Sequence, residues 1–237
     1  MQVASGAKPA ERRFDRTEHR FEATTSSGDV SALLLRPLDA DSMLVLAHGA
    51  GVGMRHHFME ALAVGLADLR IATFRYQFPY LENGRRRPDY QPILLKTVRS
   101  AVSAASAVSE GLPLFAGGKS MGGRMTSLAA SKEALSTIQG ITFFGFPLHP
   151  AQKPGIERSE HLREVSVPLL FLQGPRDKMA PRDLLEPVCQ GLLQATTLHV
   201  VEGADHGFHV LKRSGRTDDE VQDELADATR SWIDGLK

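Results

Sequence analysis

The chain has 237 residues and is 42% hydrophobic, which suits one globular domain with a substantial core. Lysine plus arginine and aspartate plus glutamate each number 28, a balance that gives no reason to expect nucleic acid or an anionic membrane as partner. No apolar run approaches the roughly 20 residues needed to cross a bilayer.

Residues 1–16 are polar and charged and read as a flexible N-terminal arm ahead of a single domain over 17–237. The opening "MQVASGAKPAERRFDR" lacks the apolar centre of a secretory signal. "HRFEATT" and "VSALLLRP", joined through Ser27-Gly28-Asp29, predict an antiparallel hairpin. "SMLVLAHG" is a continuous apolar run ending in glycine, as expected of a strand buried on both faces. "RIATFRY", "LPLFAGG", "IQGITFFGFP", "VPLLFLQG" and "ATTLHVVEG" repeat that character.

Helical spacing falls between these runs. Leu94, Val98, Ala101, Ala105 and Val108 make one apolar stripe; Leu184, Leu185, Val188, Leu192 and Leu193 a second; Val221, Leu225, Ala228, Trp232 and Leu236 a third. Cys189, the single cysteine, lies in the second and reads as a small core residue. With no intramolecular disulfide possible, the chain suits the cytoplasm. Strands alternating with helices predict an α/β fold: a mainly parallel central sheet, helices on both faces and an antiparallel N-terminal hairpin. In such sheets chemistry gathers at the carboxyl ends of the strands.

"FAGGKSMGGRM" lies at one of those ends and has two readings. Gly118-Lys119-Ser120 ends like a phosphate-binding loop, but that loop needs a glycine where this chain has Pro113, which fixes φ and has no N–H to offer. Gly118-Lys119-Ser120-Met121-Gly122 is also G-x-S-x-G, a sharp strand-to-helix turn presenting a nucleophilic serine. The small residues two before and two after Ser120 relieve the crowding such a turn creates.

A serine needs a base, and the base needs a group that holds its tautomer. The elbow template places an acid and then a histidine in loops after later strands. Asp177 follows "VPLLFLQG" and His206 follows "TLHVVEG". Asp183 reads as a helical surface carboxylate, and Asp205 is too close in sequence to orient His206. His199 reads as a sheet residue, while His209 is a rival to His206 set where the last helix approaches. The oxyanion hole takes the amide of Met121 and a second donor from "LAHGAGVGMRHHF", with Ala50 the first choice and Gly51 the alternative. His48 reads as structural. His56 and His57, adjacent on a helix, should point apart, and no metal-ligand pattern stands out.

With these residues in hand the chain resembles the α/β-hydrolase superfamily from about residue 18 to its end. "HGAGVGMRHHFM", "FRYQFPYLENGRRRPD", "GGKSMGGRM", "PLHPAQKP", "GPRDKMA" and "GADHGFHV" are similar to a branch of bacterial hydrolases, the testis-expressed hydrolase-like protein and the hydrolase-like part of an acetyltransferase-complex subunit. Dienelactone hydrolases, whose nucleophile is cysteine, are more distant likenesses. The resemblance implies a Ser120–Asp177–His206 triad on a compact α/β-hydrolase core, with no substrate specified.

The interval Pro147–Val165 is too short for a large lid. Tyr76, Phe78, Pro79 and Tyr80 either wall an apolar pocket or pack their loop. Lys119, Arg124 and Arg85-Arg86-Arg87 either draw an anionic substrate or form a solvated surface. The expected activity is that of a serine hydrolase of small carboxylic esters or thioesters, a monomer or homodimer without cofactor. A non-catalytic binding module, or an amidase or acyltransferase with the same triad, is the alternative.

Overall fold

The computed structural model describes residues 14–150 and 152–236. Residues 1–13, most of the expected arm, lie outside the described residues; Phe14, Asp15 and Arg16 already belong to the first strand, so the arm's boundary at residue 16 is too late. Eight strands form one sheet in the order β1-β2-β4-β3-β5-β6-β7-β8. β1 (Phe14–Thr24) and β2 (Gly28–Pro37) make the antiparallel hairpin, its turn at residues 25–27, and β2 meets β4 (Ile71–Tyr76) antiparallel. From β4 onward β3 (Ser42–Ala47), β5 (Leu114–Lys119), β6 (Ile138–Phe144), β7 (Leu169–Gln173) and β8 (Thr196–Val200) all run parallel.

Alternation along the strands divides the core in two. Met43, Val45 and Ala47 of β3 face one side, where, beyond the short α2 (Pro79–Glu82), α3 (Gln91–Val108) and α4 (Met121–Lys132) bury Leu94, Val98, Met125 and Leu128. Leu44 and Leu46 face the other, against α1 (His57–Asp68) and α6 (Asp218–Asp234) through Phe58, Leu62, Val221 and Leu225. α6 begins on a capping box, Thr217 and Glu220 bonding each other's amides. The parallel strands therefore need helices on both faces, and their apolar runs are the sequence record of that burial.

Three expectations change. β8 is an edge strand of half-buried and exposed residues, with His199 turned outward to Glu224 at 2.7 Å. α5 (Arg182–Gln190) ends before Leu193, which is almost fully exposed, so the second apolar stripe stops short. His56 caps α1 with an extended backbone instead of continuing the helix, and its ring lies 4.0 Å from that of His57. Between β6 and β7 the chain forms a 3-10 strap, Glu157–Glu164, docked on α4; the described residues form no large lid. No helix among the described residues is long and apolar enough to cross a membrane.

His48, just beyond β3, is wholly buried. Its Nε2 accepts from the Phe78 amide at 3.1 Å and its Nδ1 donates to the Gly49 carbonyl at 2.8 Å, so the neutral ring pins the loop after β3. Burial lowers its pKa from 6.5 to about 4, the Gly49 bond opposing the shift. The unfolded chain then binds the extra proton as pH falls from about 6.5 to about 4, and stability is lost across that window. We predict that acidification from about pH 7 to about pH 4.5 costs the native protein about 2–3 kcal/mol through this residue. Urea unfolding of His48→Gln should lose less on the same acidification; equal losses in both proteins would refute the assignment.

Candidate active site

Ser120 joins β5 to α4 with φ +50° and ψ −113°, a conformation that costs a non-glycine residue about 1–3 kcal/mol. Its amide donates to the Phe144 carbonyl of β6 at 3.1 Å, and its carbonyl accepts from Arg124 N–H one helical turn later. Close backbone approach explains the flanking glycines. A Cβ on Gly118 would lie 2.4 Å from the Ala47 carbonyl oxygen, and one on Gly122 2.6 Å from the carbonyl oxygens of Ala47 and His48. β3 thus runs so near the elbow that only hydrogen fits at either position.

The structure brings Ser120, Asp177 and His206 together. His206 Nε2 is 2.8 Å from Ser120 Oγ, and its Nδ1 is 2.6 Å from Asp177 Oδ2. The Asp177 side chain is fully buried and each oxygen is bonded: Oδ2 also accepts from Gln173 Nε2 at 2.5 Å, and Oδ1 from the Met179 amide at 2.7 Å. Gln173, the last residue of β7, is itself held because its Oε1 accepts from the Phe146 amide at 2.9 Å. Sequence reasoning missed it, although an amide closing an otherwise apolar strand just before the acid loop is a readable signal.

The rivals have other occupations. His209 turns to Asp218 of α6 at 2.8 Å, and Asp183 is exposed on α5. Asp205 does shape the histidine loop, through Oδ1 accepting from the amides of Gly207 and His209 at 2.8 and 3.0 Å. Across the loop, Arg176 N–H donates to the Ala204 carbonyl, tying the acid and histidine segments together.

Lys119 is placed differently from the expectation. It is buried on the opposite face of the sheet, its Nζ donating to the His206 carbonyl oxygen between the rings of Phe58 and Phe208, 5.7 and 5.1 Å away. Burial lowers its pKa to about 8, opposed by the carboxylates of Asp177 and Asp205. It therefore supports the histidine loop from behind and does not face the cleft. Tyr76 and Tyr80 are also removed from any substrate wall: both are fully buried in the core, Tyr80 against the His48 ring. Arg85, Arg86 and Arg87 are exposed, and Arg85 is engaged by Asp89 at 2.6 Å.

A cleft of about 370 Å³ opens over Ser120. Ala50, Met121 and Arg124 line it, together with Arg158 from the strap and Asp89, neither foreseen from sequence. Gly51 follows Ala50 at φ +80°, a left-handed backbone that favours glycine. A hydroxyl, an imidazole and a buried carboxylate in line, beside an open cleft, can deprotonate the hydroxyl for attack on an acyl group.

Comparison with known proteins gives the same architecture. In structure, the chain is similar to a dienelactone hydrolase from Anabaena variabilis (TM-score 0.72, 18% identity, covering 92% of this chain and 97% of that one). It is similar to an α/β serine hydrolase without lid from Xanthomonas campestris (TM-score 0.70, 19% identity, 96% and 98% covered). The esterase domain of a Rhodothermus marinus protein matches with a TM-score of 0.67 at 15% identity, covering 92% and 97%. At these identities the likeness establishes the fold. The family model described as the alpha/beta hydrolase domain matches residues 40–234, nearly the whole described chain, and the protein belongs to that family.

Proposed function

We propose that the protein is a serine hydrolase of small carboxylic esters or thioesters, working in the cytoplasm without a cofactor. The observation that carries this reading is the hydrogen-bonded line from Ser120 Oγ through His206 to Asp177, opening on the cleft. Ser120 Oγ attacks the carbonyl carbon while His206 Nε2 takes its proton, and Asp177 holds the resulting imidazolium. The oxyanion is received by the amides of Met121 and Ala50, each donor worth about 2.7–4 kcal/mol in the transition state. Ala50 is preferred to Gly51 because it, with Met121, lines the cleft beside Ser120. His206 then protonates the departing alcohol or thiol, leaving an acyl-Ser120. Water, deprotonated by His206, attacks that acyl group and releases the carboxylic acid, restoring the serine.

Two measurements test the reading. A fluorophosphonate probe should label Ser120 in the folded protein, and Ser120→Ala should lower kcat on p-nitrophenyl esters by roughly 10⁴-fold or more while remaining folded. Absence of an adduct, under conditions that label a control hydrolase, would overturn the hydrolase reading.

Lys119 generates a further expectation. Its ammonium holds the His206 carbonyl, and above its pKa of about 8 that charge is lost. Native kcat/KM should therefore decline on the alkaline side, and Lys119→Met should lower kcat by about tenfold to a hundredfold, as small displacements of a catalytic group do. The variant's profile should lack the alkaline decline. An unchanged profile in Lys119→Met would show that Lys119 only fills space.

A further inference from the structure

Most arginines of this protein meet a carboxylate, among them Arg16, Arg20, Arg55, Arg75 and Arg230. Several described arginines do not, and two of these, Arg124 and Arg158, line the cleft over Ser120. Arg124 and Arg158 form no ion pair among the described residues, and Arg124 Nε is buried with no hydrogen-bond partner. Both guanidinium groups have their pKa lowered by burial, and Arg158 adds like-charge repulsion at Arg124. Two half-buried cations that no carboxylate pairs among the described residues are unfavourable on their own, and an anion between them offsets that.

The arrangement is built into the fold. Arg124 stands four residues after Ser120, one turn along α4, and so on the cleft side of the same helix. Arg158 is brought in by the strap, which is fastened to α4 where His161 Nε2 meets Ser127 Oγ at 2.8 Å. Burial first, and then Arg124, lowers the His161 pKa to about 4, so the fastening ring is neutral near pH 7 and adds no third charge. Asp89 is the one carboxylate among the described lining residues, and Arg85 already engages its Oδ1 at 2.6 Å.

We propose that Arg124 and Arg158 form a subsite for an anionic oxygen group, carboxylate or phosphate, carried by the ester that Ser120 attacks. This rests on the hydrolase reading and narrows its substrate class. The planar donor forks of two guanidinium groups suit such oxygens, and the cleft sets them beside the reacting carbonyl.

The test compares three substrates: a p-nitrophenyl ester whose acyl chain ends in a carboxylate, its neutral methyl-capped counterpart, and an aryl butyrate with a phosphate on the ring. The wild type should favour at least one anionic ester over the neutral one by about tenfold or more in kcat/KM. Whichever anion is preferred identifies the group. In R124Q/R158Q the ratio should fall to about one, and added salt should erode it in the wild type. A wild-type ratio near one for both anions, or a ratio that survives the double substitution, overturns the proposal. If the double variant does not fold, R158Q alone carries the same comparison. Calorimetry with adipate and inorganic phosphate reads the subsite without turnover: at least one should bind the double variant about tenfold more weakly than the wild type. Arginine-dependent binding without any esterase activity would sink the hydrolase reading and leave the subsite standing, whereas equal binding to both proteins would remove the subsite.

Discussion

The crowding beneath Ser120 is the constraint from which the rest of the site follows. At φ +50° the serine projects from a turn so sharp that β3, β5 and the first turn of α4 share one small volume. The carbonyls of Ala47 and His48 occupy the space where side chains of residues 118 and 122 would lie, so glycine is compulsory at both. Crowding also fixes the neighbouring loop. The chain leaving β3 must pass beside Ser120, and it is held there by the buried His48 ring between the Phe78 amide and the Gly49 carbonyl. Ala50 reaches the cleft because Gly49 packs against the elbow, the position of a Cβ at Gly49 lying 3.8 Å from Ser120 Cβ. Strain at one residue is thus maintained by contacts on every side, as over-determined geometry requires.

Much of this was legible in the sequence, for reasons that can be named. Strands buried on both faces leave continuous apolar runs, and chemistry in such sheets gathers just beyond them, so the sequence points to Ser120, Asp177 and His206. Lys119 is the exception, because adjacency to Ser120 in sequence does not place its side chain in the cleft. Alternation along β5 sets residue 119 on the side of Phe115, whose ring packs in the α1 and α6 layer, away from the cleft. The same rule, applied to β4, sends Tyr76 inward with Phe74 and Ala72. Arg158 was not legible at all. Its position depends on the strap docking against α4, and "GIERSEHLREV" carries no periodicity that announces the contact.

Positive charge around the cleft is divided into two kinds with different surroundings. Arg124 and Arg158 line the cleft and form no ion pair among the described residues. Lys119 lies behind the histidine loop, where Asp177 and Asp205 both act on it. Both kinds are cationic and close to Ser120, yet only the first kind lines the cleft.

The rear group can be followed through the proposed reaction as a charge count. In the resting site two carboxylates face one ammonium, leaving formal negative charge around a neutral imidazole. When the serine proton arrives on His206, the imidazolium brings that set to neutrality, so the charge-separated stage is better matched than the resting one. A single carboxylate beside Lys119 would already be balanced and would stabilise the imidazolium less. Asp205, which also shapes the loop through the Gly207 and His209 amides, supplies the second negative charge. The lysine that holds the histidine loop in place can therefore stay close to Asp177 without cancelling its effect on the ring.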